Sequence, residues 1–168
     1  MKKFQNGFIL LILISLIPFF IPEKLNAQSF DLSTVADKST AIPGGTGNFT
    51  RFFPPVPIGG DDVAFLAEGS SGQEGIYTSI GGTLAVVVDL GTMIPGGTGN
   101  FTSLGFPVSL GGADFAFIGF GAGQEGIYTS IGGTLAVVAD LSTMIPGGTG
   151  TFTDLSSPIS LGLALIQI

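Results

Sequence analysis

The chain has 168 residues, of which 28 are glycine and 10 are proline, and it contains no cysteine, histidine or tryptophan. Its length fits one small domain better than two ordinary ones. The missing side chains exclude disulfides, cysteine-based zinc sites and catalysis by Ser-His-Asp or Cys-His groups. Because 45% of the residues are hydrophobic and only 10% are charged, the composition predicts a folded chain.

The first 27 residues differ in character from the rest of the chain. Two lysines near the start precede an apolar run at 8–21, and Ala27 closes the segment. A basic start, a short apolar core and a small exit residue are typical of a secretory signal peptide. The run is shorter than the roughly 20 residues that a membrane-spanning helix needs. We therefore expect a signal helix at 1–27, with an uncleaved membrane anchor as the alternative because Leu25 suits a cleavage site poorly.

The charge balance limits the partners of the exported chain. The full sequence has 5 basic and 12 acidic residues, for a net charge of −7. Beyond residue 27, Lys38 and Arg51 are the only cations. Two cations do not make the basic surface that nucleic-acid binding requires, and an anionic membrane would repel the chain. We expect no nucleic-acid partner and no stable membrane insertion after the signal is cleaved.

An internal repeat dominates the remaining sequence. Ile-Pro-Gly-Gly-Thr-Gly-Asn-Phe-Thr at 42–50 recurs at 94–102 and, with one change, from Ile145. Gly-Gln-Glu-Gly-Ile-Tyr-Thr-Ser-Ile at 72–80 recurs 51 residues later. The first of these spacings is one residue longer than the second, and we expect the extra residue in the proline-rich stretch at 53–55, as part of a surface loop.

Each repeat predicts short strands and turns. The apolar segments at 63–67 and 115–118 predict a first strand with both faces covered. A more amphipathic second strand is predicted at 76–80, then a tight Gly-Gly turn, then an apolar third strand at 84–88. A fourth, weaker strand is expected after Asn100. Helices are disfavoured because a glycine or proline in a helix interior costs about 1–3 kcal/mol.

Four short strands in about 51 residues are typical of a β-propeller blade or a comparable β-repeat. Such units stack, because one unit alone cannot bury both of its faces. The sequence thus predicts an all-β repeat domain at 28–168, with whole units at about 62–112 and 114–162 and partial units at both ends. A closed propeller takes about four blades or more. We therefore expect an open stack, a subunit of an oligomeric ring, or a truncated copy of a longer array.

The ends of this stack are predicted to stay apolar. Val35 aligns with the third strand of a preceding unit, and the segment 163–168 reads as a strand with no charge to discourage edge pairing. Apolar ends favour association. We expect self-association or binding to other surface proteins as the partners of the chain.

The repeat resembles a family of exported bacterial proteins built from tandem repeats with the pattern Asn-x-x-Gly-x-x-x-x-Ala-Phe. Two repeats match its glycine, alanine and phenylalanine: Gly59, Ala64, Phe65, Gly111, Ala116 and Phe117. Val56 and Val108 replace the asparagine. The resemblance covers nearly all of 34–162 and implies β-propeller-like repeats, export and no defined activity. We expect no C-terminal surface-sorting segment of the kind that such proteins often carry.

Acidic residues recur in register. Asp37, Asp89 and Asp140 each follow the third strand, and Glu74 and Glu125 lie in the Gln-Glu-Gly segment before the second strand. Calcium prefers oxygen ligands such as carboxylates and loop carbonyls, so the three aspartates are candidate Ca²⁺ ligands. The competing interpretation is that each aspartate caps a turn by accepting hydrogen bonds from its own following backbone. No Asp-x-Asp-x-Asp-Gly string is present, so we expect no cofactor, with Ca²⁺ as the one candidate.

Two tyrosines also occupy equivalent positions. Tyr77 and Tyr128, with Glu74 and Glu125 beside them, are the candidate ligand-binding residues. An exposed ring can stack on a sugar, which would make a glycan the ligand. The alternative is that both rings fill space between the repeats.

The repetition of the acids disfavours catalysis, because an active site is unique whereas these acids recur. We therefore expect neither glycoside hydrolysis by a carboxylate pair nor any other enzyme activity. The glycine-rich loops lack the lysine and the helix of a phosphate-binding loop. The sequence predicts a secreted or cell-surface, non-enzymatic structural or interaction module. A carbohydrate-binding repeat module and a truncated, non-functional fragment of a longer repeat protein are the alternatives.

Overall fold

The structure of the chain is a computed structural model, which describes residues 33–160. The signal helix predicted at 1–27 and the strand predicted at 163–168 lie outside the described residues. Among residues 33–160, no helix has the length and apolar character that crossing a membrane requires. One short 3₁₀ helix, Ser70–Gly72, accompanies the strands.

Within the described residues, ten strands form two antiparallel sheets. The first sheet contains β1 (Phe49–Phe52), β2 (Val56–Gly59), β3 (Asp62–Gly69), β4 (Glu74–Ile80) and β5 (Thr83–Asp89). The second sheet contains β6 (Ser103–Leu104), β7 (Val108–Gly111), β8 (Asp114–Gly121), β9 (Gln124–Ile131) and β10 (Thr134–Asp140). The order β1-β3-β4-β5, with β2 also paired to β3, is repeated as β6-β8-β9-β10, with β7 also paired to β8. The predicted all-β repeat architecture is confirmed.

The short strands at the sheet edge pair with the strand that follows them. The weak strand predicted after Asn100 corresponds to β6 and β7, whose main chains pair with β8 and with no strand of the preceding sheet. Each sheet therefore occupies 49–89 or 103–140, whereas the periodicity placed unit boundaries at 62 and 114. A repeat length gives the number of residues between equivalent positions, but it does not give the residue at which each unit begins, which is the phase of the repeat. The phase follows the short connections, because closing a short loop costs less entropy than closing a long one.

The one-residue difference between the two units lies in the turn between their two long central strands. Residues 70–73 join β3 to β4, and the last of them, Gln73, aligns with Gln124 at the start of β9. The three residues Ser70–Gly72 therefore stand where only Ala122 and Gly123 join β8 to β9. Ala122 and Gly123 have φ of 47° and 73°, as a two-residue hairpin turn requires. The expectation that the extra residue lies at 53–55 is wrong, because β2 and β7 keep equivalent registers against β3 and β8.

Two Gly-Gly pairs make the turns that end β4 and β9. The φ angles are 57° and 76° at 81–82, and 57° and 75° at 132–133. Positive φ at both positions defines the type I′ turn, whose twist matches that of the flanking strands. Asp62 accepts the first N–H of the turn at 2.8 Å, and Asp114 does the same in the second unit at 2.9 Å. The aspartate that opens each long strand thus caps the turn beside it.

The core is divided between two hydrophobic clusters. The junction cluster lies between the sheets and consists of Ile58, Ala64, Leu66, Ile76, Val88, Ile94, Phe101, Leu104, Phe115, Phe117 and Tyr128. The outer cluster covers the opposite face of the first sheet and consists of Ile42, Phe49, Phe65, Ala67 and Tyr77. Side chains alternate across a strand, so successive residues of β3 serve the two clusters in turn. This alternation explains why the long strands are apolar throughout.

Replacing Gly82 by valine should destabilise the chain by about 1–3 kcal/mol, the cost of holding an ordinary residue at positive φ. A Cβ atom at this position would meet nothing within 4 Å, so the cost would come from the backbone alone. Gly82→Asn is the matched control and should cost less, because asparagine tolerates this conformation. Urea denaturation of the three chains measures the difference. Equal stability of the valine and asparagine variants would contradict the turn geometry.

Candidate functional site

Tyr77 and Tyr128 are core residues. Each side chain is only 1% exposed. The ring of Tyr77 meets Phe49 edge-on, with 4.8 Å between centroids, and stacks on Phe65 at 5.9 Å. Tyr128 makes the same two contacts with the equivalent phenylalanines, at 4.9 and 5.6 Å. Sugar stacking needs an open ring face, so neither tyrosine can provide it, and the geometry supports the space-filling interpretation.

A glycine two residues before each tyrosine makes room for the phenol. A Cβ at Gly75 would lie 3.0 Å from the hydroxyl oxygen of Tyr77, and one at Gly126 would lie 2.7 Å from that of Tyr128. Residues two apart on a strand share a face, so the ring can lie over the glycine. Ile76, between the two, points the other way into the junction cluster. The repeated Gly-Ile-Tyr segment is therefore a packing unit that supplies both faces of its strand.

Asp37, Asp89 and Asp140 close one recurring turn. The Oδ1 atom of Asp140 accepts the N–H of Ser142 at 2.9 Å and the hydroxyl of Thr143 at 2.8 Å. The Thr143 hydroxyl oxygen in turn accepts the N–H of Asp140 at 2.9 Å. The other two aspartates make the same three bonds with the residues two and three positions after them. The recurring Asp-x-x-Thr spacing is the pattern in the sequence that indicates this turn.

These hydrogen bonds commit one oxygen of each aspartate, Oδ1, to the chain itself. Hydroxyl groups of Ser39 and Ser142, followed by further donors in the same turns, hold the pKa of Asp37 and of Asp140 below the ordinary value of 3.8. Among residues 33–160, no group of three or more acidic side chains is placed to hold a metal ion. The geometry of the three candidate Ca²⁺ ligands supports the turn-capping interpretation.

Glu74 and Glu125 connect one repeat to the next. The Oε1 atom of Glu74, at the start of β4, accepts the N–H of Leu104 in β6 at 2.7 Å. Glu125 accepts the N–H of Leu155, in the opening segment of a third repeat, at 2.8 Å. Each bond spans 30 residues and is partly buried. A carboxylate accepts a hydrogen bond more strongly than a neutral group does. We name this contact between repeats the glutamate clamp.

The glutamine before each clamp holds the glycine-rich loop of its own repeat. The side-chain oxygen of Gln124 accepts the N–H of Thr98 at 3.1 Å. In the amide orientation that satisfies its neighbours, Gln73 makes the same bond with Thr46 at 3.1 Å. The Gln-Glu pair is thus a connector, with the glutamine on its own loop and the glutamate on the next repeat. The sequence places the pair in a turn, and only its recurrence at both positions points to a larger role.

The repeat junction therefore combines an apolar contact with one charged hydrogen bond. In the described part of the chain, no buried side-chain nitrogen or oxygen lacks a hydrogen-bond partner. The recurring polar residues serve as acceptors for main-chain N–H groups and nearby hydroxyls. Their chemistry in this arrangement is to join repeats and to shape turns.

The two tyrosines should ionise above pH 10 in the folded chain. Burial raises the pKa of both above the ordinary 10.0, and the charges of Asp89 and Asp140 raise it further. The sequence has 2 tyrosines, so tyrosinate absorbance of the whole chain reports on both. The phenols should therefore cost no stability below pH 10 and should lower it as the pH rises beyond that value. Titration of the native chain that matches titration in urea would contradict the burial.

Replacing Glu74 by alanine should destabilise the chain by about 1–3 kcal/mol, because the N–H of Leu104 would lose its partner. Hydrogen exchange at the Leu104 amide should quicken in this variant. Glu68→Ala is the matched control, since Glu68 pairs with Arg51 at 3.2 Å on the exposed surface and should cost about 1 kcal/mol or less. Urea denaturation and amide exchange measure both effects. Equal effects of the two substitutions would show that the clamp does not join the repeats.

Comparison with known proteins gives one match. A protein-family model described as "Family of unknown function (DUF7453)" matches the chain twice, at residues 25–110 and 68–162. The overlapping matches end about one repeat length apart, as expected where one model spans more than one unit. No curated protein sequence and no solved structure matches the chain. The resemblance to the Asn-x-x-Gly-x-x-x-x-Ala-Phe proteins stays a prediction. The chain belongs to the DUF7453 family, a family of unknown function.

Proposed function

We propose that this chain is an exported, non-enzymatic repeat protein that acts as a structural or interaction module of the cell surface or extracellular matrix. The observation that carries the proposal is the glutamate clamp. Glu74 is a recurring polar residue and a candidate for ligand binding, but its carboxylate holds the next repeat. The same bond recurs at Glu125. The recurring glutamates of the chain thus serve to join its own units.

The second clamp supports a modular role in particular. Glu125 holds Leu155 although that residue belongs only to the opening segment of a third repeat. The second sheet therefore receives the next unit in the same way as the first sheet does. Stability in repeat proteins of this kind comes from contacts between neighbouring units, which lets units be added in series. Such a stack is suited to span distance or to present a surface.

Three further observations favour this role over catalysis, nucleic-acid binding and sugar binding. The candidate carboxylates recur at equivalent positions, whereas an active site needs one unique arrangement. The acidic chain has few cations, which disfavours nucleic acid as a partner. Burial of Tyr77 and Tyr128 removes the aromatic platforms on which the carbohydrate-binding alternative depends.

Export is tested by producing the full chain with a C-terminal tag in a bacterial host and analysing each cell fraction by mass spectrometry. We expect the tagged chain outside the cytoplasm with Gln28 as its first residue, because residues 1–27 have the pattern of a signal peptide. The matched control carries Ile12→Arg and Leu13→Arg, which interrupt the apolar core and should retain the chain in the cytoplasm. Cytoplasmic retention of the unaltered chain would contradict the proposal. A full-length chain in the membrane fraction would show the anchor alternative.

A further inference from the structure

The two repeats differ in the connections that follow β1 and β6, although the strands beside these connections occupy equivalent positions. The equivalent pairs that differ are Arg51 and Ser103, Phe53 and Gly105, and Pro54 and Phe106. On the long strand that pairs with the first of these positions, Glu68 in β3 is replaced by Phe120 in β8. A binding site needs one unique arrangement of side chains. The residues that break the repetition are therefore better candidates than the residues that repeat.

Several of these residues meet in a groove beside the junction of the two sheets. The groove has a volume of about 660 Å³, and we name it the aromatic groove because Phe53, Phe106 and Phe120 line it. Leu66 of the first sheet and Leu104 of the second sheet also line it. Phe106 is 53% exposed. A large apolar ring that stays in water is a typical anchor point for a partner.

One ring of the groove already shows which chemistry covers it. The guanidinium of Arg51 lies over the ring of Phe53, with 4.3 Å from Cζ to the ring centroid. Glu68 holds the same guanidinium by an ion pair at 3.2 Å. The ring of Phe53 in turn packs against that of Phe106, with 5.5 Å between centroids. A cation is attracted to the face of an aromatic ring. In the described chain, no cation lies over Phe106.

The charge at the groove selects a cation as well. Glu74 supplies the only charge among the described lining residues, and its Oε1 atom already makes the glutamate clamp. Asp154 directly precedes Leu155, which also lines the groove. The sequence has no lysine or arginine after Arg51. An anionic ligand would meet like charge here, whereas a basic side chain would meet opposite charge.

We propose that the aromatic groove binds a basic and apolar segment of another protein, with an arginine or lysine over the open face of Phe106. Apolar neighbours of that side chain lie in the groove beside Phe120. Ser156 and Ser157 also line the groove and offer hydroxyl groups to the main chain of such a segment. This site rests on the proposed function as an interaction module and adds the chemistry of the partner.

Binding is measured with the full chain and the peptide acetyl-Leu-Arg-Trp-Arg-Leu-amide. The chain has no tryptophan, so the fluorescence of the peptide tryptophan reports on the peptide alone. The matched control peptide, acetyl-Leu-Gln-Trp-Gln-Leu-amide, keeps the apolar residues and removes both charges. We expect saturable binding of the arginine peptide and at least about tenfold weaker binding of the glutamine peptide. High salt should weaken the binding of the arginine peptide, because it screens the attraction between charges.

A substitution at Phe106 tests the place of binding. Phe106→Leu keeps an apolar side chain and removes the ring, so it should bind the arginine peptide about threefold more weakly or worse. Met93→Ala is the matched control, because Met93 is an apolar side chain that is 69% exposed in the turn after β5 and does not line the groove. The control should bind as the parent does. Circular dichroism checks that both variants keep the β-sheet spectrum.

Nuclear magnetic resonance locates the peptide on the chain. The amide signals of Gly105 and Ser156, which line the groove, should shift when the arginine peptide is added. Shifts confined to other acidic parts of the chain would overturn the proposal, and so would equal binding of the two peptides. Undiminished binding by Phe106→Leu would overturn it as well. A chain that ignores the peptide, and that self-associates only when Phe106 is present, would assign the groove to a second copy instead.

These outcomes separate the groove from the proposed function. A chain that is exported but does not bind the arginine peptide would overturn the role of the groove alone. A chain retained in the cytoplasm would contradict the proposed function, whatever its affinity for the peptide in solution.

Discussion

The structure depends on one constraint, which is that each sheet is apolar on both faces. In β3, Ala64 and Leu66 face the second sheet while Phe65 and Ala67 face the opposite way, and all four are buried. A face left in water forfeits about 25 cal/mol for each Å² of apolar surface that could have been covered. The second sheet covers one face of the first sheet, and the other face packs against Ile42 from the loop of the same repeat. Contact between neighbouring units is therefore one main source of stability.

The polar residues are arranged around that stack. Close packing of sheets takes main-chain N–H groups at the junction out of water, and such groups need acceptors. Glu74 and Glu125 supply acceptors between repeats, while Gln73 and Gln124 fix the glycine-rich loops beside them. Residues that look in the sequence like a ligand site are thus part of the scaffold. Because these polar residues join repeats, the role that we propose for the chain lies in assembly.

The position of a side chain in the stack determines its exposure to water. Val87 and Val138 are equivalent residues of β5 and β10, yet the first contacts the junction cluster and the second is 59% exposed. Residue type and local backbone are the same, so the difference lies in the neighbour.

The sequence by itself determined the period, the strands and the tight turns, since these depend on residues close together in the chain. Alternating apolar residues and the Gly-Gly pair at 81–82 act through neighbours on one strand or within one turn. Only the tertiary structure decided the phase of the repeat, the place of the extra residue at Ser70–Gly72 and the burial of Tyr77. It also decided that Glu74 accepts an N–H 30 residues away. Contacts between distant segments leave no local pattern, because they depend on which surfaces meet when the sheets pack.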